Sequence, residues 1–364
     1  MRFWRLRSRS PSTIWRPGPG PLVTENGDSS VKGWHGHHHH HGRHNDYVKL
    51  FVFGDSYVDT GNLGKFATPW KEPYGISFPG KPSGRYSDGR VLTDYIASFF
   101  GITSPVPFER RNITRKSRLR YGMNFAYGGT GVFNTLEQDR PNMTIQIDHF
   151  QELLDKNVYT KHDLKKSVAL VSVAGNDYTT FLSTNASLQS MPAFTKGLIK
   201  QLAMDLKRIK GLGVENVLVI SLRPLGCLPT ITAQNSYQKC IPFFNSTARF
   251  HNLLLKHAVN KLNTDTDHNS AGRFIILDIY ASFKSALNKN HFKGKLKVKN
   301  PLEPCCVGLD GHSCGGVDEK GVKKYSVCKN PESFFFWDNV HPTQSGWHAL
   351  HSSLKTSLHR IYKD

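Results

Sequence analysis

Gly54-Asp55-Ser56 follows an apolar run, and Asp338-Asn339-Val340-His341 sets an aspartate three residues ahead of a histidine. Together they are the parts of an acyl-transfer site. A serine hydroxyl is a poor nucleophile unless a positioned base takes its proton. His341 is the candidate base, and Asp338 is near enough in the chain to bond the imidazole and fix its tautomer. The oxyanion formed on attack needs donors already in place. Three are available: the backbone N–H of Ser56, a glycine N–H from Tyr127-Gly128-Gly129-Thr130-Gly131, and the amide of Asn176 in Ala174-Gly175-Asn176-Asp177. Each piece alone has an ordinary structural reading as a turn, a helix cap or a helix start. Their joint placement carries the chemical reading.

That placement depends on the elements between them. Val48–Phe53, Asn124–Ala126, Val168–Val173, Val217–Leu222 and Phe274–Leu277 are short apolar runs that predict buried strands. Phe194, Leu198, Leu202, Leu206 and Ile209 recur at helical spacing up to Gly211, as do Trp347, Leu350, Leu354, Leu358 and Ile361 near the end. Strands alternating with helices predict an α/β fold with a parallel sheet covered on both faces. In such sheets the chemistry gathers in loops at the carboxyl ends of strands. The serine, the glycine-rich turn and Asn176 each follow an apolar run, and Pro342 opens the last helix where its missing N–H costs nothing.

These blocks give the chain its resemblance. Phe53-Gly54-Asp55-Ser56-Tyr57-Val58-Asp59-Thr60-Gly61-Asn62, Asn124-Phe125-Ala126-Tyr127-Gly128-Gly129-Thr130-Gly131, the Asn176 block, Pro224-Leu225-Gly226-Cys227-Leu228-Pro229 and Trp337-Asp338-Asn339-Val340-His341-Pro342 together resemble a plant-type GDSL esterase/lipase of the SGNH hydrolase superfamily. The resemblance spans residues 48–362. It implies a three-layer α/β/α fold with a flavodoxin-like parallel sheet and a shallow site without a large lid. It further implies Ser56 as nucleophile, His341 as base, Asp338 as its partner, and Ser56, Gly128 and Asn176 as the oxyanion hole. Tyr57 stands where the family's name-giving leucine would be, and Ala174 replaces the leading glycine of the asparagine block. Neither position supplies a reacting atom, so altered packing with retained catalysis is expected.

A decoy lies late in the chain. Gly311-His312-Ser313-Cys314-Gly315 matches the Gly-x-Ser-x-Gly elbow of other hydrolases, a motif that needs a strand before it and a helix after it. Its flanks are cysteine-rich and carry neither signal. The six cysteines are Cys227, Cys240, Cys305, Cys306, Cys314 and Cys328. Adjacent Cys305 and Cys306 suit a single metal poorly, so the even count reads as disulfides and an oxidising compartment. Cys227–Cys240 is a local pair, and connectivity among the other four stays open. Sequons at Asn112, Asn142, Asn185 and Asn245 point the same way, towards glycosylated loops of a secreted protein.

Residues 1–46 differ from the rest, with a basic start, a Pro-Gly alternation at Pro17–Pro21 and the histidine run His37–His41. They read as a disordered leader without a visible signal peptide, and the histidines as a solvated run and not a metal site. One hydrolase domain is expected over residues 47–364. Of the formal net charge of +20, the leader's 7 basic and 3 acidic residues leave +16 in that body. The charge gathers at Arg110–Arg120 and Lys284–Lys299, where no aromatic stacking pattern or helix-turn-helix signal for nucleic acid is seen. A solvated face is the ordinary reading, and weak association with an anionic cell-wall polymer or lipid surface the sharper one. No run of about 18 apolar residues is present for a membrane-spanning helix.

The expected function is therefore a serine ester hydrolase working through an acyl-enzyme, with a place in lipid breakdown and no cofactor. The alternatives are an acyltransferase or carbohydrate acetylesterase using the same triad, or a non-catalytic polyanion-binding protein on this fold. A serine-reactive phosphonate is expected to label Ser56, as read by peptide mass spectrometry. Recovery of the label on Ser313 would reverse the assignment.

Overall fold

The strands of the sheet are apolar on both faces because both faces are covered. In the computed structural model, which describes residues 48–137, 139–184, 186–265, 272–288 and 300–362, β1 (Lys49–Gly54), β2 (Val106–Pro107), β3 (Gly122–Asn124), β4 (Ser167–Ser172), β5 (Asn216–Ile220) and β6 (Phe274–Leu277) form one sheet in the order β2-β3-β1-β4-β5-β6. Every pairing in it is parallel, with β1 central between β3 and β4. The predicted α/β class with a parallel sheet is what forms. The leader assigned to residues 1–46 lies outside the described residues.

The helices are α1 (Leu92–Phe99), α2 (Met143–Asp155), α3 (Lys161–Leu164), α4 (Gly175–Ser183), α5 (Met191–Gly211), α6 (Pro229–Thr232), α7 (Pro242–Asp265), α8 (Ile279–Ala286) and α9 (Gln344–Leu358). α2, α5 and α7 pack in series, and α1, α9 and α8 form a second series. Right-handed crossovers put the two series on opposite faces, because β1 to β2 runs one way along the sheet and β3 through β6 the other. In α5 the spaced residues Leu198, Leu202, Leu206 and Ile209 are buried, and in α9 Trp347, Leu350, Leu354 and Leu358. Ile361 falls just beyond, in a 3₁₀ turn at His359–Tyr362.

Two differences from the sequence pattern have local causes. The third ladder covers Gly122–Asn124, ahead of the expected Asn124–Ala126, although Phe125 and Tyr127 still donate to the carbonyls of Val52 and Gly54 at 2.7 and 3.0 Å. Strand β2 gives no apolar run because it is two residues long and holds a proline, which a sheet accepts at its edge. Cys306–Gly308 and Tyr325–Val327 pair as a separate antiparallel ribbon, β7 and β8.

The end of β1 is where the sheet becomes a site. Gly54 has φ +135°, and a Cβ there would lie 1.8 Å from the Ser172 carbonyl oxygen of β4. The buried amide of Gln146, from α2, accepts from Gly54 N–H at 2.7 Å and donates to Gly54 O at 3.0 Å. The chain is thus gripped one turn before Ser56. Gly54→Ala is expected to cost at least about 2 kcal/mol of stability, because it adds both a clash and an unfavourable φ. Denaturant melts of the purified variant measure this, and an unchanged midpoint would contradict it.

Candidate active site

Ser56 lies two residues past β1, Asn176 opens α4 after β4, and Asp338 and His341 precede α9. The fold brings them together across 285 residues of chain. His341 Nε2 stands 2.8 Å from Ser56 Oγ, and His341 Nδ1 stands 2.8 and 2.9 Å from the two oxygens of Asp338. Asp338 Oδ1 also accepts the backbone N–H groups of Val340 and His341, at 2.9 and 2.8 Å. Tyr74 OH donates to Asp338 Oδ2 at 2.8 Å. Burial would raise the Asp338 carboxyl, but the histidine charge and these hydrogen bonds outweigh it and hold the group below its ordinary range. An ionised Asp338 bonded to Nδ1 leaves Nε2 as the acceptor facing the serine.

The imidazole is also packed in place. Tyr86 stacks on the His341 ring with centroids 4.7 Å apart, and Tyr57 meets it edge-on at 5.9 Å. Tyr57 is buried, bonds the Val340 carbonyl at 2.9 Å and lies against Trp347. The large residue at this position therefore braces the turn that carries the histidine. Ala174 holds φ +93°, a left-handed conformation that costs a non-glycine residue roughly 1–2 kcal/mol, directly before the Asn176 turn.

Of the expected oxyanion donors, two keep a hydrogen to give. Ser56 N–H makes no hydrogen bond to a described residue. Asn176 Nδ2 spends one N–H on the Thr130 carbonyl at 2.8 Å, which fixes the amide and leaves its second N–H. Gly128, the third expected donor, differs from these two. Its N–H donates to Asp59 Oδ2 at 2.9 Å, so it is already engaged.

The family model for GDSL-like Lipase/Acylhydrolase matches residues 50–354. The chain belongs to this GDSL-like family. A GDSL esterase/lipase of Arabidopsis thaliana is 52% identical over 315 residues, covering 85% of this chain and 87% of that protein. A second from the same plant is 49% identical over 318 residues, covering 86% and 89%. Among solved structures, an acetyl xylan esterase from Geobacillus stearothermophilus aligns at 14% identity with a TM-score of 0.37, over 87% of this chain and 94% of that one. The protein is thus a GDSL esterase/lipase, a carboxylic ester hydrolase.

Three residues of this GDSL hydrolase site carried no assignment from sequence. Asp59 was in view inside the first block, and its carboxylate pins both neighbouring turns by accepting from Gly61, Asn62 and Gly128 N–H. Tyr74 and Tyr86 offered no signal, since nothing local links them to Asp338 or His341. Ser313, in the decoy motif, is exposed in the β7–β8 loop, with no helix following it. The disulfides are Cys227–Cys240, Cys305–Cys328 and Cys306–Cys314, which resolves the open connectivity.

The sequons divide. Asn112 is exposed, Asn142 is half-buried as the cap of α2, and Asn185 lies outside the described residues. Asn245 is corrected as a glycosylation candidate. It is 6% exposed inside α7, where its oxygen accepts from Gly226 N–H at 2.9 Å and its amide nitrogen faces Cys227 Sγ. Of the two basic clusters, Arg110 and Arg111 rest on the rings of Trp70 and Phe108, at 4.4 and 3.6 Å from the centroids. Residues 289–299 of the second lie outside the described residues.

Burial raises the Asp59 carboxyl to about 6 and that of Asp177 to about 7, against the hydrogen bonds each accepts. Between about pH 4 and 7 the native state holds protons there that the unfolded chain has released, so these groups make stability fall as pH rises. Asp177→Asn removes its share of that dependence. The difference in melting temperature between wild type and variant is expected to shift in the variant's favour from pH 4.5 to 7.5, and a pH-independent difference would contradict this.

Proposed function

We propose that this esterase works through Ser56, His341 and Asp338 by way of an acyl-enzyme. The observation that carries the reading is the unbroken hydrogen-bond chain from Ser56 Oγ through both imidazole nitrogens to Asp338. Ser56 Oγ attacks the ester carbonyl carbon as its proton passes to His341 Nε2. The oxyanion is received by Ser56 N–H and the free N–H of Asn176. Collapse breaks the carbon–oxygen bond to the alcohol, which leaves with the proton from His341. Water then repeats the sequence on the acyl-serine, giving the acid and restoring Ser56. Asp338 stabilises the imidazolium throughout.

An apolar acyl substrate is the reading we favour, in keeping with a role in lipid breakdown. A cleft of about 690 Å³ lies beside the glycine turn, where Leu63, Phe66, Ile113 and Tyr127 line it together with the charged Lys65, Glu109, Arg110, Asp139 and Arg140. Phe66 and Ile113 are 90% and 80% exposed at this cleft, which suits contact with an acyl chain or a lipid surface. The basic surface makes an anionic interface or cell-wall polymer a fitting setting. Three disulfides fit an oxidising, secretory compartment, with Asn112 the glycan acceptor best exposed. Among the described residues no helix is long and apolar enough to cross a membrane.

A panel of 4-nitrophenyl esters from acetate to palmitate tests the reading. Activity is expected to rise beyond the two-carbon acyl group, and Ser56→Ala to lower kcat by at least about 10⁴-fold. Asn176→Ala is expected to lower kcat by about 10²-fold or more. Equal activity in wild type and Ser56→Ala would remove the mechanism, and a sharp acetate preference would turn the substrate towards acetylated carbohydrate.

A further inference from the structure

Arg223 is a buried cation without a bonded anion: its charge acts on the buried Asp55 carboxyl, but no ion pair joins the two. It keeps 7% of its surface, its Nε is sealed from solvent without a partner, and no hydrogen bond or ion pair joins the side chain to any described residue. Buried charges in proteins are ordinarily paired, because desolvation of a lone ion costs several kcal/mol. The Arg223 guanidinium, hydrogen-bonded to no described residue, is therefore free to take a partner that comes from outside.

Its place in the fold says where that partner would lie. Strands β3, β1, β4 and β5 stand side by side in that order. Gly128, Ser56, Asn176 and Arg223 each follow the carboxyl end of one of them, within four residues. Arg223 is thus the next position in the row beyond Asn176, with neighbouring strands about 4.8 Å apart. Its guanidinium carbon sits 4.1 Å from the centre of the Tyr57 ring, the residue after the nucleophile. Its two terminal nitrogens lie against Gly175, the residue before Asn176, where a Cβ would come within 2.3 Å of one and 2.6 Å of the other. The absent side chain at Gly175 is what admits the fork, and Tyr57, in the place of a leucine, supplies the aromatic face that supports it.

We propose that Arg223 is a specificity-determining residue that receives an anionic group on the ester substrate, a carboxylate carried by its acyl or its alcohol part. The inference rests on the esterase reading of Ser56 and adds the substrate class. The planar fork matches a carboxylate in two parallel hydrogen bonds. The cleft that holds Leu63, Phe66 and Ile113 includes Tyr127, which follows β3, whereas Arg223 follows β5, so a substrate with an apolar end and an acidic end fits across the row.

Two matched pairs of esters test this at 0.15 M salt. For the acyl side they are mono-4-nitrophenyl glutarate against 4-nitrophenyl valerate. For the alcohol side they are 4-acetoxybenzoate against 4-acetoxybenzamide. The readout is the ratio of kcat/KM for the anionic to the neutral member, which a loss of folding or general activity does not move. In at least one pair, Arg223→Gln is expected to lower the wild-type ratio about tenfold. Arg223→Lys, which keeps the charge and loses the fork, is expected to lower it by a smaller factor and serves if the glutamine variant does not fold. Ratios unchanged by both substitutions in both pairs would overturn the proposal. A wild type inactive on all four esters would instead strike the esterase reading, and this inference would fall with it.

Discussion

A parallel strand cannot hand its chain directly to its neighbour, so the loops leaving β3, β1, β4 and β5 all start at one edge of the sheet. That constraint gathers the site. The Ser56 turn, the glycine turn, the Asn176 turn and Arg223 become neighbours because their strands pair in parallel register, although Ser56 and Gly128 are 72 residues apart in the chain and the later members 48 and 47. The last helix then needs only one contact with this edge to deliver Asp338 and His341. Every group of the proposed catalytic set is displayed at a boundary that regular hydrogen bonding has already fixed.

Such an edge has a cost, since strand ends leave backbone N–H groups without partners. The molecule meets it with buried carboxylates. Asp55 accepts from Tyr57 N–H, Asp59 from Gly61, Asn62 and Gly128, Asp177 from Val132 and Phe133, and Asp338 from Val340 and His341. Each aspartate ties down a turn that carries or flanks a reacting group. The same burial pushes Asp59 and Asp177 towards protonation, whereas Asp338, facing an imidazole, is held ionised. One residue type thus performs two tasks, set apart by whether an imidazole is bonded to the carboxyl. Ala174 adds a further cost by taking a left-handed backbone at the entrance to the Asn176 turn. Strain and buried charge concentrate here, as is common where geometry is held for chemistry.

Much of this was legible in the chain. The strands at β1, β4, β5 and β6 are apolar through their length because both faces are covered, so simple runs revealed them. The spaced leucines of α5 and α9 revealed the helices for the opposite reason, each having one covered face. Edge strand β2 was hidden by its length and its proline. The sequon at Asn245 shows the limit of reading short motifs: three residues fit the pattern, but the helix turns that asparagine inward to serve Gly226.

The sequence by itself determined the kinds of group available and their local turns. Gly54-Asp55-Ser56 and Asp338-Asn339-Val340-His341 carry their chemistry within a few residues, and six cysteines in pairs carry theirs. Tertiary structure decided the rest, because it depends on contacts between distant parts of the chain. It decided that Asp59 takes the Gly128 N–H and so which oxyanion donors stay free. It put Tyr74, 264 residues away, on Asp338. It paired Cys305 with Cys328 and Cys306 with Cys314, and it left Arg223 buried with its Nε unpartnered. A hydrogen bond is decided within about 3 Å in space, and sequence separation carries no measure of that distance.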